Sequence, residues 1–146
     1  MIIRPLILAA LILATTACAS AGGSGNTAAL QDAVSLMVSI GQHEDGVDIA
    51  DATASLDERI AAAPNDPYVL KVAAMTRTNL ANSAQDRATR VKLRQDALAQ
   101  FDRAIALAKP NAPPRTVMMN GQSMDIDLAD LADLRAKLFA TVQTDR

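Results

Sequence analysis

Residues 52–67 read ATASLDERIAAAPNDP, a stretch in which one alanine-rich run ends and a second run begins. Alanine has the highest helix propensity of all residues, so the first part favours a helix. Pro64 cannot continue that helix because it lacks an amide donor. Asp66 and Pro67 are typical of a new helix start, with a capping side chain followed by proline in the first turn. The stretch therefore predicts two consecutive helices joined by a short connection.

Apolar residues at spacings of three and four extend this pattern over most of the chain. They predict five helices, at 27–41, 48–63, 67–82, 86–109 and 127–142. The expected buried faces are Leu30, Ala33, Val34, Met37 and Gly41; Ile49, Ala52, Leu56, Ile60 and Ala63; Leu70, Ala73, Ala74, Met75 and Leu80; Val91, Leu98, Phe101, Ile105 and Ala108; and Leu128, Leu131, Leu134 or Arg135, Leu138 and Val142. With one Tyr, two Phe and no Trp, the core must be aliphatic. Small alanines let helices approach closely, so the composition predicts an all-α stack.

One segment departs from the helical pattern, at 116–124. An Asn-Gly pair at 120–121 is flanked there by apolar residues, which is a strong signal for a two-residue hairpin turn. We expect a small β-ribbon, with Val117 and Met119 covering one end of the helical stack. Methionine is flexible and polarizable, so Met118 and Met119 are also candidates for an adaptable partner-binding surface.

Two parts of the helical region resemble the tetratricopeptide repeat, 52–67 and 97–113. In the first copy, Ala52, Leu56 and Pro64 match the small, large apolar and terminal proline positions of the family. In the second copy, Ala97, Phe101 and Ala104 match its small, aromatic and small positions, and Pro110 comes one residue late. Positions 52 and 97 are 45 residues apart, whereas the family repeats every 34. The resemblance therefore implies a short, degenerate array, with two antiparallel helical hairpins in 27–109 and a capping helix in 125–144. Such an array offers a shallow concave face for one partner helix or extended segment.

The N-terminal residues resemble the export signal of a bacterial lipoprotein. Arg4 precedes an apolar run at 5–14 that is too short to span a bilayer. Small residues then lead to Cys18, as in a lipobox, although Thr15 stands where the family prefers leucine. The resemblance implies a signal peptide over 1–17 and a lipid on Cys18.

The same resemblance divides the rest of the chain into a flexible tether at 18–26 and a helical domain at 27–146. It implies a periplasmic protein held by its lipid to a membrane of the cell envelope, with the outer membrane as the expected destination. Two other outcomes stay open: a secretory signal cut after Ala17, Ala19 or Ala21, and a retained membrane anchor. The chain has a single cysteine, so it cannot form an intramolecular disulfide.

The charge balance argues against nucleic acid as a partner. The chain has 14 basic and 16 acidic residues, and loss of 1–17 removes Arg4 and no acid, which leaves 13 basic residues and a net charge of −3. Binding to nucleic acid depends on an excess of Lys and Arg that neutralises phosphates.

No residue pattern points to catalysis, a cofactor or a metal. The chain has one histidine, His43, in the loop at 41–46 beside Glu44 and Asp45, and a zinc site needs more ligands than these can supply. No serine or cysteine motif suggests an activated nucleophile. Four aspartates, Asp125, Asp127, Asp130 and Asp133, are expected to stabilise the positive end of the fifth helix rather than to bind calcium. We therefore expect a protein that is not an enzyme and has neither cofactor nor metal.

A basic cluster completes the candidate sites. Arg87, Arg90 and Arg94 are spaced to share one face of the fourth helix, near Lys92. Such a face could meet anionic lipid head groups or an acidic partner, although a solvated face is the commoner outcome. The predicted function is a lipid-anchored, non-enzymatic interaction or assembly module of the cell envelope. The alternative is an exported carrier of a small ligand or a metal.

Overall fold

The computed structural model describes residues 24–42 and 46–144, and the side chains of 27–42 and 46–144. The elements in these residues are α1 (Ser24–Gln42), α2 (Ile49–Ala62), α3 (Pro67–Ser83), α4 (Arg87–Leu107), β1 (Arg115–Met119), β2 (Gln122–Ile126) and α5 (Leu131–Thr144). The predicted mostly helical fold with a small antiparallel β-ribbon is confirmed. Cys18, the signal sequence and the loop residues His43, Glu44 and Asp45 lie outside the described residues.

Aspartate side chains determine where three of the helices begin. Asp48 accepts hydrogen bonds from the amides of Ala50 and Asp51, at 2.9 and 3.0 Å. Asp66 accepts one from the Tyr68 amide at 2.9 Å, and Asp86 accepts one from the Thr89 amide at 2.8 Å. The first amides of a helix have no partner within the helix, so these carboxylates satisfy them. Helices α2, α3 and α4 accordingly start directly after their capping aspartates.

Helix α3 lies at the centre of the molecule. It contacts α1, α2 and α4 directly, and it contributes residues to three hydrophobic clusters. Val69 and Val72 pack with α1 and the β-ribbon, Leu70 and Ala74 pack with α4 and α5, and Leu80 packs with α2 and α4. Eleven of its 17 residues are buried as a result. The helical hairpins are therefore organised around a single central helix.

The ribbon forms as the sequence predicts. Val117 pairs with Met124, and the connecting residues Asn120 and Gly121 have φ values of 50° and 79°. Positive φ at both positions is what a type I′ turn requires, and Asn-Gly is the pair that adopts it most easily. Val117 is buried against α1 and α3, while Met119 packs on the edge of the same cluster.

A glutamine from α1 extends this ribbon. The Gln31 side-chain amide donates to the carbonyl of Met118 at 2.6 Å and accepts from the amide of Met118 at 2.8 Å. Gln31 thus satisfies both backbone groups of Met118, as a neighbouring strand would do. This contact holds β1 onto α1.

The predicted buried face of α4 is correct only in part: Phe101 is buried, and Leu98 and Ala108 pack at the edge of its cluster. Val91 and Leu98 are only half-buried, and Ile105 is 39% exposed. The buried residues of α4 are Leu93, Arg94, Ala97, Gln100, Phe101 and Ala104, of which only Phe101 belongs to the predicted face. Because the buried face includes the polar residues Arg94 and Gln100, a search for apolar residues at helical spacing selects a different face. Tertiary contacts, rather than the apolar pattern, decide the orientation of this helix.

Two predicted boundaries also differ. Helix α5 begins at Leu131, four residues late, because β2 occupies 122–126 and the chain needs a connection between strand and helix. Helix α1 begins at Ser24, so 24–26 are helical rather than part of the predicted tether. Ser, Gly and Asn are tolerated at this position because the first-turn amides make no intrahelical bonds.

Candidate interaction surfaces

A buried lysine connects α3 to the segment that leads into α5. The side chain of Lys71 is 7% exposed, and its Nζ donates to the Asp130 carboxylate at 2.5 Å and to the Asp127 carbonyl at 2.7 Å. Burying a charge is costly unless it is paired and hydrogen-bonded, which Lys71 is. Asp125 lies in β2, where its carboxylate accepts from the Thr116 hydroxyl at 2.6 Å. The prediction that Asp125 lies at the start of α5 is therefore wrong. Asp127, through its carbonyl, and Asp130, through its carboxylate, bind Lys71 and connect this segment to α3.

An arginine attaches the ribbon to the start of α3. Arg115 Nη1 lies 2.5 Å from Oδ2 of Asp66, whose side chain is 1% exposed. The same guanidinium stacks over the Tyr68 ring, 4.2 Å from its centroid. The Tyr68 hydroxyl in turn donates to the Pro113 carbonyl at 2.5 Å. Asp66 therefore has two roles: it caps α3 and it forms an ion pair with Arg115 of the ribbon.

The ribbon lies against the first helices of the two hairpins. Val117 and Ile126 share a cluster with Leu30, Val34 and Val69 from α1 and α3. A repeat array of the expected kind would use this inner face for a partner. Here the chain's own ribbon packs against α1 and α3 on this face.

A wide cleft lies between α2 and α4, with a volume of about 1030 Å³. One wall is α2, through Ala50, Thr53, Ala54 and Asp57; the other is α4, through Thr89, Lys92, Leu93 and Asp96. Ile40, Val47 and Ile49 line one end of it and are half-buried against the α2–α3–α4 cluster. The α2 side of the cleft consists largely of alanine and threonine, whose short side chains project little into it. The result is an open channel with aliphatic residues at one end and polar edges.

Charged side chains border this cleft. Asp57 pairs with the buried Arg77 of α3, and Lys92 pairs with Asp96 one turn further along α4 at 2.6 Å. Hydrogen bonds from the side chain and then the amide of Thr89 hold the pKa of Asp86 below its ordinary value of 3.8, so this carboxylate is ionised at neutral pH. The border therefore carries both signs of charge.

The three arginines predicted to form one basic face point to different surroundings. Arg87 is exposed, Arg90 is half-buried with Nη1 donating to the Ala84 carbonyl at 3.0 Å, and Arg94 is 8% exposed. Arg94 Nη2 donates to Oδ1 of Asn82 on α3 at 3.2 Å. The three residues lie on one side of the continuous helix α4, but they do not form a uniformly exposed basic face, because Arg94 is buried against α3.

The predicted methionine surface lies far from those arginines. Met118 is 54% exposed on the ribbon, and Met119 is half-buried. The ribbon is attached at Asp66, at the start of α3, whereas α4 begins just after the end of α3. A helix of 17 residues is about 25 Å long. The structure therefore does not bring the methionines and the arginines into one site.

A second groove lies where α5 crosses α3 and α4, with a volume of about 280 Å³. Its lining residues are Met75, Thr78, Asn79, Asn82, Arg94, Phe101, Leu134, Lys137, Leu138 and Thr141. Sequence reasoning singled out Arg94 but missed Asn79, Asn82 and Lys137. These residues come from α3, α4 and α5 with no shared motif, so only the packing of the three helices reveals that they meet.

Comparison with protein-family models, curated proteins and solved structures finds no match to this chain. Within residues 24–42 and 46–144, no group of three or more His, Cys, Asp or Glu side chains is arranged to hold a metal ion. None of the helices described in the structure is long and apolar enough to cross a membrane.

Proposed function

We propose that this chain is a lipid-anchored, non-enzymatic interaction module of the bacterial cell envelope, which holds one amphipathic helix of a partner protein in the α2/α4 cleft. The anchor in this proposal is the lipid on Cys18, on the periplasmic side of the outer membrane. The observation that carries the docking part is the cleft itself, an open channel between two helices that both pack on α3.

The dimensions of the cleft suit a helix. Its walls run from Ala50 to Asp57 on α2 and from Thr89 to Asp96 on α4. Each wall therefore spans about two helical turns, or about 10 Å. The residues along each wall recur at spacings of three and four, which creates the ridges and grooves into which a third helix packs. Exposed Ala50 and Ala54 leave room for larger side chains from that helix.

The polarity of the cleft suits an amphipathic partner. Ile40, Val47 and Ile49 remain partly accessible at one end, and covering apolar surface is favourable. The Lys92–Asp96 pair and Asp57 lie along the edges. Docking interfaces likewise combine apolar surface with polar groups at their borders. A helix with an apolar stripe and a charged border would match both parts.

A charge placed in the cleft tests this proposal. Ala54→Arg is exposed on α2, so we expect it to leave the melting temperature unchanged and to abolish retention of the partner. Ala136→Arg makes the same change at an exposed alanine of α5 outside the cleft, and should retain the partner. Quantitative mass spectrometry of proteins that copurify with each variant from detergent-solubilised membranes measures retention. Retention of the same proteins by Ala54→Arg at the wild-type level would contradict docking in this cleft.

The anchor needs its own measurement. Mass spectrometry of the N-terminal peptide isolated from membranes should show a cleaved chain that begins at lipidated Cys18. An N-terminus at another small residue, with no lipid, would contradict the anchor. The docking proposal would then be tested by the cleft variants alone.

A further inference from the structure

We infer that the groove between α3, α4 and α5 binds a small carboxylate that carries a short apolar chain. This inference goes beyond the proposed function, because the groove is a different surface from the α2/α4 cleft and its ligand is a small molecule. It rests on three features of the groove: the sign of its charge, its apolar wall and its size.

The groove is positively charged. Two of its ten lining residues, Arg94 and Lys137, are cationic, and none is acidic. An arginine guanidinium remains protonated at every physiological pH. Arg94 is 8% exposed, so an anion beside it interacts through a medium of lower effective dielectric than water.

Neutral donors surround these cations. The side chains of Asn79, Asn82 and Thr141 line the same groove. Asn82 accepts one hydrogen bond from Arg94 through Oδ1, which leaves its amide nitrogen as a donor. Amide and hydroxyl donors that converge beside a cation are the features that orient an anionic ligand within a pocket.

The remaining lining residues form an apolar wall. Met75 of α3 and Leu134 of α5 are half-buried and present accessible apolar surface to the groove, whereas Phe101 and Leu138, at 2% and 5% exposed, are already covered by the protein. This wall can cover a hydrocarbon chain, which a simple inorganic anion would not use. A volume of about 280 Å³ lies just below the range of about 300 to 1,000 Å³ that is usual for drug-sized ligands, so the ligand must be small.

Hexanoate is the probe that tests this inference, with hexylamine and hexanol as controls of equal chain length. Titration of the isotope-labelled full chain in detergent, followed by NMR, should give saturable shifts in the amides of Asn79 and Thr141. The expected dissociation constant for so small a ligand is on the order of 1 mM. Hexylamine and hexanol should bind at least about tenfold more weakly, because they lack the anion. Equal shifts with hexylamine, or no saturable shift with hexanoate, would overturn the inference.

Variants locate the binding site. Lys137→Gln is exposed and should weaken hexanoate binding about threefold to tenfold, whereas Lys109→Gln, an exposed lysine outside the groove, should have no effect. Arg94→Gln should weaken it more than about tenfold, with Arg94→Lys intermediate. If Arg94→Gln does not fold, the two lysine variants decide the question. Equal weakening by Lys109→Gln and Lys137→Gln would indicate attraction by net charge alone and would overturn the assignment.

Discussion

The two sides of α3 differ in how they are covered. On one side the ribbon and the segment leading into α5 lie directly against α3, where Arg115 and Lys71 pair with Asp66 and Asp130. On the other side α2 and α4 both pack on α3 but leave a cleft of about 1030 Å³ between them. Both sides are built from alanine-rich helices.

The comparison shows what closes a face in a protein with so few aromatic residues. Alanines allow close approach, but their small side chains do not fill a wide gap. The closed side adds Val117 and Ile126 from the ribbon and fixes them with charged pairs and the Gln31 contact. The open side has no equivalent element among the described residues.

The largest expected difference between the two sides is in stability. Leu30 is fully buried under the ribbon, so Leu30→Ala should lower the free energy of unfolding by about 3 kcal/mol. Ile49 is half-buried at the cleft, so Ile49→Ala should cost less than half as much. Urea denaturation followed by circular dichroism measures both values. Equal losses would mean that the two sides do not differ in packing as described.

The second expected effect concerns the aspartate that joins the ribbon to α3. Asp66→Ala removes a helix cap and leaves Arg115 without its carboxylate, which should cost about 2 to 3 kcal/mol. Asp66→Asn keeps an acceptor for the helix amides and should cost about half of that. The same urea denaturation checks the order of the two variants. A loss no larger for Asp66→Ala than for Asp66→Asn would show that the cap contributes nothing.

A smaller effect of opposite sign is expected on α4. The side-chain Oε1 of Gln100 is buried, and no hydrogen-bond donor among the described residues reaches it. Gln100→Met has a similar length and removes this unsatisfied oxygen, so it should raise the free energy of unfolding by about 1 kcal/mol. Thermal unfolding with Gln95→Met, an exposed control on the same helix, tests this. Destabilisation by Gln100→Met alone would indicate that the amide has a role in the folded state.

The smallest effect concerns pH at the open side. The pKa of Asp86 is lowered in the folded protein by hydrogen bonds from Thr89, so its ionised form stabilises the fold. This contribution is present above the ordinary pKa of 3.8 and is lost as the pH falls through the lower folded-state value. Asp86→Asn should therefore melt slightly below the wild type at pH 7 and at the same temperature in stronger acid. A difference that persists or grows in acid would contradict this assignment.

Much of the fold could be predicted from the sequence, because local signals determine it. Asp66 and Pro67 mark a helix start, and Asn120-Gly121 specifies its turn, so both features were predicted close to their observed positions. The buried face of α4 could not be predicted in this way. Arg94 and Gln100 are polar residues that tertiary contacts bury, and a pattern of apolar residues cannot anticipate that.

The candidate sites were less predictable than the fold. Arg94 was singled out for a basic helix face, yet it is buried at a groove that is also lined by Asn82 and Lys137 from other helices. The α2/α4 cleft depends on how far two helices diverge across α3, a distance that no local signal encodes. Sequence patterns specify elements, whereas grooves arise from the angles between those elements.

Site-specific photocrosslinking tests the central claim most directly. A photoreactive amino acid at position 54 in the α2/α4 cleft, compared with one at 136 on α5, would be activated in intact membranes and the crosslinked peptides identified by mass spectrometry. We predict one discrete adduct from position 54, joined to the apolar stripe of an amphipathic helix, and no such adduct from position 136. The same adducts from both positions, or an adduct from position 136 alone, would contradict docking of a partner helix in the cleft.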